Sequence, residues 1–346
     1  MFDILRQISL DEVRDDAARH FSIVVTGPDR DARDAMSDML TGGVRGSGSP
    51  VLDHDAADGW TQEFERASLV VYALSSGSVS APDAALLTRI ATIGLPVLVT
   101  TVGSPALVGE AHSLDDFNRL VNSDRYRVRR VKLPPEGAEN QLVRAVLREL
   151  GAFDIALARR LPPFRPFVSA QLINETARAN AEFALMSNLP ALIPVVGGLV
   201  AAGADLFVLT KNQVMLVFKI AAAHGQDIHS SRKVMAEMVP VVGASFFWRS
   251  LAREVAAVLP AGVGFIPKTT IAYSGTYVAG RSAQYYYTTG RKPNRELMAD
   301  FYKEAIMQAR SFLSRTRKSV DSNSSPPPDP SQAATADERA DGSRRP

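Results

Sequence analysis

Through the first 150 residues, short uninterrupted apolar runs take turns with stretches whose apolar positions recur every three or four residues. FSIVVTG at 21–27 reads as a buried strand ending in glycine, and DARDAMSDML at 31–40 as a helix stopped by Gly42 and Gly43. The alternation continues with strands in ASLVVYAL, LPVLVTT and YRVRRVKL, and helices in APDAALLTRIATIG, SLDDFNRLV and AENQLVRAVLREL. Such an order predicts βα units around a mostly parallel sheet, with ligands taken at the carboxyl ends of the strands. Ahead of them, Phe2, Ile4, Leu5, Ile8 and Val13 predict an amphipathic helix, with Ser9 or Asp11 capping its second turn.

Beyond residue 150 the period changes. LPPFRPF, with Pro162, Pro163 and Pro166, reads as a linker, and helical patterns follow. Val168, Leu172, Ile173 and Ala177, then Phe183 and Leu185, give one helix an apolar face. From Leu189 to Ala204 no side chain is charged; Asp205 is followed by a second apolar run whose one charge before Lys219 is Lys211. A bilayer core needs about 20 apolar residues, and Leu189 to Thr210 reaches that length only with Pro190, Pro194 and Asp205 included. An Asp within a membrane span costs roughly 2.5 to 3.5 kcal/mol, so Asp205 is expected to face a protein partner or water. The run from Val239 to Pro267 is apolar but carries Arg249, Arg253 and Glu254, as a surface-lying helix would.

In 268–293, Ala272, Thr276 and Gly280 form one ridge of small residues and Gly275, Ala279 and Ala283 another. Residues four apart share a helix face, so a neighbouring backbone can approach closely there. Tyr285, Tyr286 and Tyr287 suit either an aqueous interface or a packed helix end. Asn294 to Thr316 predicts a last amphipathic helix with Leu297, Phe301, Ile306, Ala309 and Leu313 as its buried stripe, and a Pro- and Ser-rich tail follows from about Val320. The organisation is therefore α/β plus all-α: 1–150 a sheet domain, 151–318 a hydrophobic helical domain, and 319–346 a disordered tail.

Composition narrows the function. A net charge of +2 on 346 residues, with acids and bases interspersed, argues against nucleic acid as a partner. Absence of cysteine excludes disulfides and thiolate chemistry, and acidic and basic residues from Asp3 onward do not make a secretion signal. His20, His54, His112, His224 and His229 show no metal-ligand spacing, no G-x-S-x-G occurs, and Asp53, His54, Asp55 and Asp58 read as a solvated loop or a weak cation site. After the first strand a phosphate loop would need G-x-x-x-x-G-K-[ST]. Gly27 keeps the first glycine, but Pro28 lacks a donor N–H, Ala32 replaces the second glycine, Arg33 the lysine and Asp34 the hydroxyl residue. Asp29, Asp31 and Asp34 would together repel a triphosphate.

The order of elements over roughly the first 150 residues is similar to a small GTPase domain of the Era-like kind. In that family a strand like LPVLVTT ends in N-K-x-D, where this chain has Thr100, Thr101, Val102 and Gly103, and LDHDAADGW does not fit the D-x-x-G spacing. The resemblance implies a degenerate GTPase-like fold. Ile193, Pro194, Gly197, Asp205, Gln213, His224 and Gly225, with Tyr277 and Gly280, resemble the bacterial family of unknown function DUF 697, which often follows an Era-like domain. That resemblance implies a helical, often membrane-associated module without catalytic residues. The expectation is a non-catalytic protein at the cytoplasmic membrane, facing the cytoplasm, whose pseudo-GTPase domain binds a protein partner and whose helical half meets the membrane or a membrane protein. Asp205 and Gln213 would be its polar residues within the membrane or bundle, and Gly275, Thr276, Ala279 and Gly280 its helix-packing residues. No cofactor or metal is expected. The alternatives are a soluble cytoplasmic homo-oligomer acting as scaffold, and a GTP-binding switch with an altered loop.

Overall fold

The computed structural model describes residues 9–74, 78–102, 108–109, 111–186, 198–228 and 268–323. The elements are α1 (Asp11–Ala18), β1 (Ile23–Gly27), α2 (Arg30–Thr41), β2 (Val51–Asp55), α3 (Gln62–Arg66), β3 (Leu69–Leu74), β4 (Ser78–Val79), α4 (Ala81–Thr92), β5 (Val97–Val102), β6 (Val108–Gly109), α5 (Ala111–Val121), β7 (Val128–Leu133) and α6 (Ala138–Glu149). Helices α7 (Asp154–Arg160), α8 (Arg165–Met186), α9 (Gly198–Ala223), α10 (Lys268–Thr289) and α11 (Arg295–Asn323) follow. Five parallel strands lie in the order β2-β1-β3-β5-β7, while β4 and β6 form a short parallel pair joining the segments that leave β3 and β5. Counting only the five main strands, this is the doubly wound order 2-1-3-4-5, whose direction reverses between β1 and β3. The chain is thus α/β followed by helices.

Successive strand residues serve opposite faces of the sheet. Val24, Val70, Tyr72, Val97 and Val99 pack with Phe64, Leu87, Ile90 and Phe117 under α3, α4 and α5. Ile23, Val25, Leu69, Val71 and Leu98 pack with Met36, Leu40, Leu142 and Val146 under α2 and α6. That second core does not stop at residue 150. It continues through Ile155, Leu157 and Phe164 into Val168, Ile173, Val217, Ile220, Val278 and Phe301 of the helical half. The segment read as a linker is therefore packed: Pro162–Phe164 forms a 3-10 turn and Phe164 is fully buried, because proline fixes the turn while the aromatic ring fills the junction.

Among the described residues, no helix is long and apolar enough to cross a membrane. The first part of the expected span, 189–197, lies outside the described residues, as do 229–267 and 324–346. The later turns of α9 bury Val214, Leu216, Val217, Phe218 and Ile220–Ala223 inside the protein, so the chain's own core accounts for their apolarity. On α11 the buried line is Phe301, Ala305 and Ala309, whereas Ile306 is half-buried and Met307 exposed. The small Ala305 is preferred there because α10 lies close. This helix also runs to Asn323, past the expected start of the tail.

The strand-end position and a polar bundle core

The strand-end position opposite the β1/β3 reversal is where a doubly wound sheet takes a ligand. Here only Pro28 and Asp29 separate β1 from α2. The residues aligned with a phosphate loop, Arg30 through Asp34, are already helical, so Ala32 packs against the core instead of forming a loop. Asp29 caps α2 itself, its Oδ1 accepting from Asp31 N at 2.9 Å, which uses one of the donors an anion would need. Gly27 is fixed by proximity: a Cβ there would collide with the Ala73 carbonyl oxygen of β3.

Arg33 does not face a ligand. Its guanidinium is buried, donating from Nη1 to the Gly27 carbonyl at 2.7 Å, from Nε to Asp53 Oδ1 at 3.1 Å and from Nη2 to Asp55 Oδ2 at 3.0 Å. Asp53, His54 and Asp55 are thus part of the edge strand β2, which corrects their reading as a solvated loop; the parallel pairing with β1 holds them in line. Asp53 and Asp55 are 47% and 41% exposed at their side chains, so their charges stay partly hydrated while the arginine is dry. The Asp55 carboxyl sits below its ordinary pKa, chiefly because Ala57 N donates to it and then because of Arg33. Asp34 points the other way, bound to Arg45 Nη1 at 2.7 Å, and that bond holds its carboxyl below the usual range. On the opposite face Thr26 Oγ1 lies 3.3 Å from His54 Nδ1, and the buried Tyr72 hydroxyl donates to Asp83 Oδ1 at 2.5 Å. Burial, then Asp83, push the Tyr72 hydroxyl up, so it stays protonated; Asp83 also closes a capping box with Ser80 at the start of α4.

In the bundle, Asn180 of α8 is fully buried and bonds three ways: to Thr276 Oγ1 at 2.8 Å, to the Leu209 carbonyl at 3.5 Å, and from Asn212 Nδ2 at 2.7 Å. Gln213 Nε2 reaches the same Thr276 hydroxyl at 3.3 Å, tying α8, α9 and α10 together. Gly280 admits the close crossing of helices, since a Cβ there would lie 2.6 Å from Ile173 Cγ1 and 3.0 Å from Leu216 Cδ2. Gly275 has room, with Gln213 Nε2 at 3.8 Å, and Ala279 is buried. Asp205 lies in the first half of α9, where side chains fall outside the described residues.

At the junction, Ser169 Oγ and His224 Nε2 are 3.2 Å apart, both buried. Burial, then the Arg165 charge, lower the His224 pKa to about 4, while the Tyr287 backbone bonded to the ring pulls the other way. This buried contact joins α8 to the end of α9. Among the described residues, no group of three or more His, Cys, Asp or Glu could hold a metal ion. The sequence signal for Asp53 and Asp55 was their two-residue spacing after an apolar pair, and Asn180 had none beyond its place on the apolar side of α8. No protein-family model matches the chain, and no curated protein matches it.

Proposed function

We propose that this chain is a non-catalytic, nucleotide-independent protein whose degenerate GTPase-like α/β half binds a protein partner and whose helical half resembles DUF 697. One observation carries the reading. The place of a triphosphate is taken by Arg33, already satisfied by Asp53, Asp55 and the Gly27 carbonyl, after a turn too short to wrap a phosphate. Admitting an anion would mean breaking three charge-assisted bonds and bringing it beside two carboxylates. The five-stranded parallel sheet opening on β1 supports the GTPase-like part. Calorimetric titration of the full chain with GTP and ATP, with and without magnesium, should give flat traces; a saturable heat would overturn the reading.

The helical half is the part we assign to a cytoplasmic membrane, on the strength of its uncharged stretch from Leu189 to Ala204. The buried later turns of α9 favour the second reading, a soluble scaffold with these helices internal. Carbonate and detergent washes of the membrane fraction separate the two: retention through carbonate supports the first, and recovery in the soluble fraction the second.

A further inference from the structure

The two edges of the sheet differ in sign. Edge strand β2 carries Asp53 and Asp55, while edge strand β7 and its approach carry Arg125, Arg127, Arg129, Arg130 and Lys132. On the basic edge the compensation is incomplete. Arg127 and Arg129 share one carboxylate, Glu149, which is 6% exposed: Arg127 Nη2 lies 3.3 Å from Oε2, and Arg129 Nε lies 2.9 Å from Oε1 at an angle that falls short of a hydrogen bond. Their own side chains are 57% and 56% exposed. Arg130, one residue on and therefore on the opposite face, has Nε and Nη2 sealed from solvent with no acceptor. No carboxylate pairs with Arg130 or Lys132 among the described residues. A buried donor without an acceptor is unfavourable, more so when charged, so this guanidinium gains by meeting an acid.

The backbone offers the means. The Arg127 carbonyl accepts from Val97 N, so in this parallel ladder Val128 and Arg130, the next and third residues, turn their N–H and C=O groups away from β5. The outward run is short, because the Lys132 carbonyl is taken by Gln141 Nε2 at 2.7 Å. Charged edges deter unwanted pairing, and a positive edge deters basic strands most and acidic strands least. We propose that β7 is the docking edge for an extended acidic segment of a partner protein, which adds a sixth strand and sets carboxylates beside Arg130 and Lys132. This names the surface for the partner in the function proposed above and rests on that reading. Affinity comes from main-chain bonds and selectivity from the alternate side chains, with Arg130 swinging on its flexible stem to meet the incoming acid.

The test uses the full chain and a labelled synthetic peptide of alternating valine and glutamate, followed by fluorescence anisotropy at low salt. Three probes control it: a valine–lysine peptide, the valine–glutamate peptide with alternate backbone nitrogens methylated, and a single-stranded oligonucleotide of equal charge. The valine–glutamate peptide should bind at least about tenfold more tightly than each control. Arg130→Gln should weaken it about tenfold while leaving Tm unchanged or higher, since a cation with two buried, unpartnered nitrogens is removed. Equal binding of the methylated peptide would reduce the effect to bare charge and overturn strand addition. Oligonucleotide binding as tight as the peptide, no peptide binding, or unchanged affinity in Arg130→Gln would overturn it too. So would concentration-dependent self-association abolished by Arg130→Gln, which would make the occupant a second copy's β2. A heat of GTP binding would sink the function above and leave these outcomes readable.

Discussion

The strand-end crevice and the helical bundle both bury polar side chains, and they do so with different chemistry. At the crevice a dry guanidinium is held by two carboxylates that keep contact with water. In the bundle, where Asn180 and Thr276 are fully buried and Asn212 and Gln213 half-buried, the four satisfy one another as neutral groups. The difference follows from desolvation: a charge is tolerable where its partner can stay hydrated, whereas deep between helices a neutral amide is the less unfavourable choice. It also follows that the crevice should respond to salt and the bundle should not.

The largest effect should come from Gly27→Val, because the neighbouring Ala73 carbonyl is backbone and cannot move aside; we expect a loss of about 4 kcal/mol or more in denaturant unfolding. Asn180→Leu removes the partner of the half-buried Asn212 and one of the partners of the buried Thr276, and should cost about 3 kcal/mol, with no salt dependence. Arg33→Met releases two carboxylates that can still hydrate, so about 2 kcal/mol is expected, shrinking as salt rises. An equal or larger loss for Arg33→Met than for Asn180→Leu would reverse the comparison.

A further contrast is a difference in pH windows. His224 has a folded pKa of about 4 against an ordinary 6.5, so between those values the unfolded chain binds more protons. The stability it contributes is whole above pH 6.5 and is lost as pH falls toward 4. Asp55, with its pKa depressed below 3.8, contributes stability that is lost only below that value. Thermal melts of wild type should therefore decline from pH 6.5 to 4, and His224→Gln should flatten that slope without altering the fall below it. A wild-type curve that is level between pH 6.5 and 4 would sink this assignment.

Much of the fold could be read from the chain. The strands at 23–27, 69–74 and 97–102 are short and apolar, and that at 128–133 keeps Val128, Val131 and Leu133 among its basic residues, so local pattern suffices for them. β2 escaped, because an edge strand with one covered face needs few apolar residues and VLDHD looks like a loop. The helix over 31–40 was legible, but its tie to the sheet was not: Arg33 reaches Asp53 and Asp55 on β2, a strand not visible in the sequence. The expected stripe has Ile306 where the structure buries Ala305, because the closeness of α10 selects the smaller residue.

By itself the sequence determined the alternation of strands and helices, the change to helices after residue 150, and the loss of lysine, hydroxyl and second glycine from the loop, all properties of neighbouring residues. The tertiary structure decided which charges meet. That Arg33 is answered by Asp53 and Asp55 while Arg130 is left unanswered depends on strand order and register, which bring together residues far apart in the chain and leave one edge of the sheet without a neighbour.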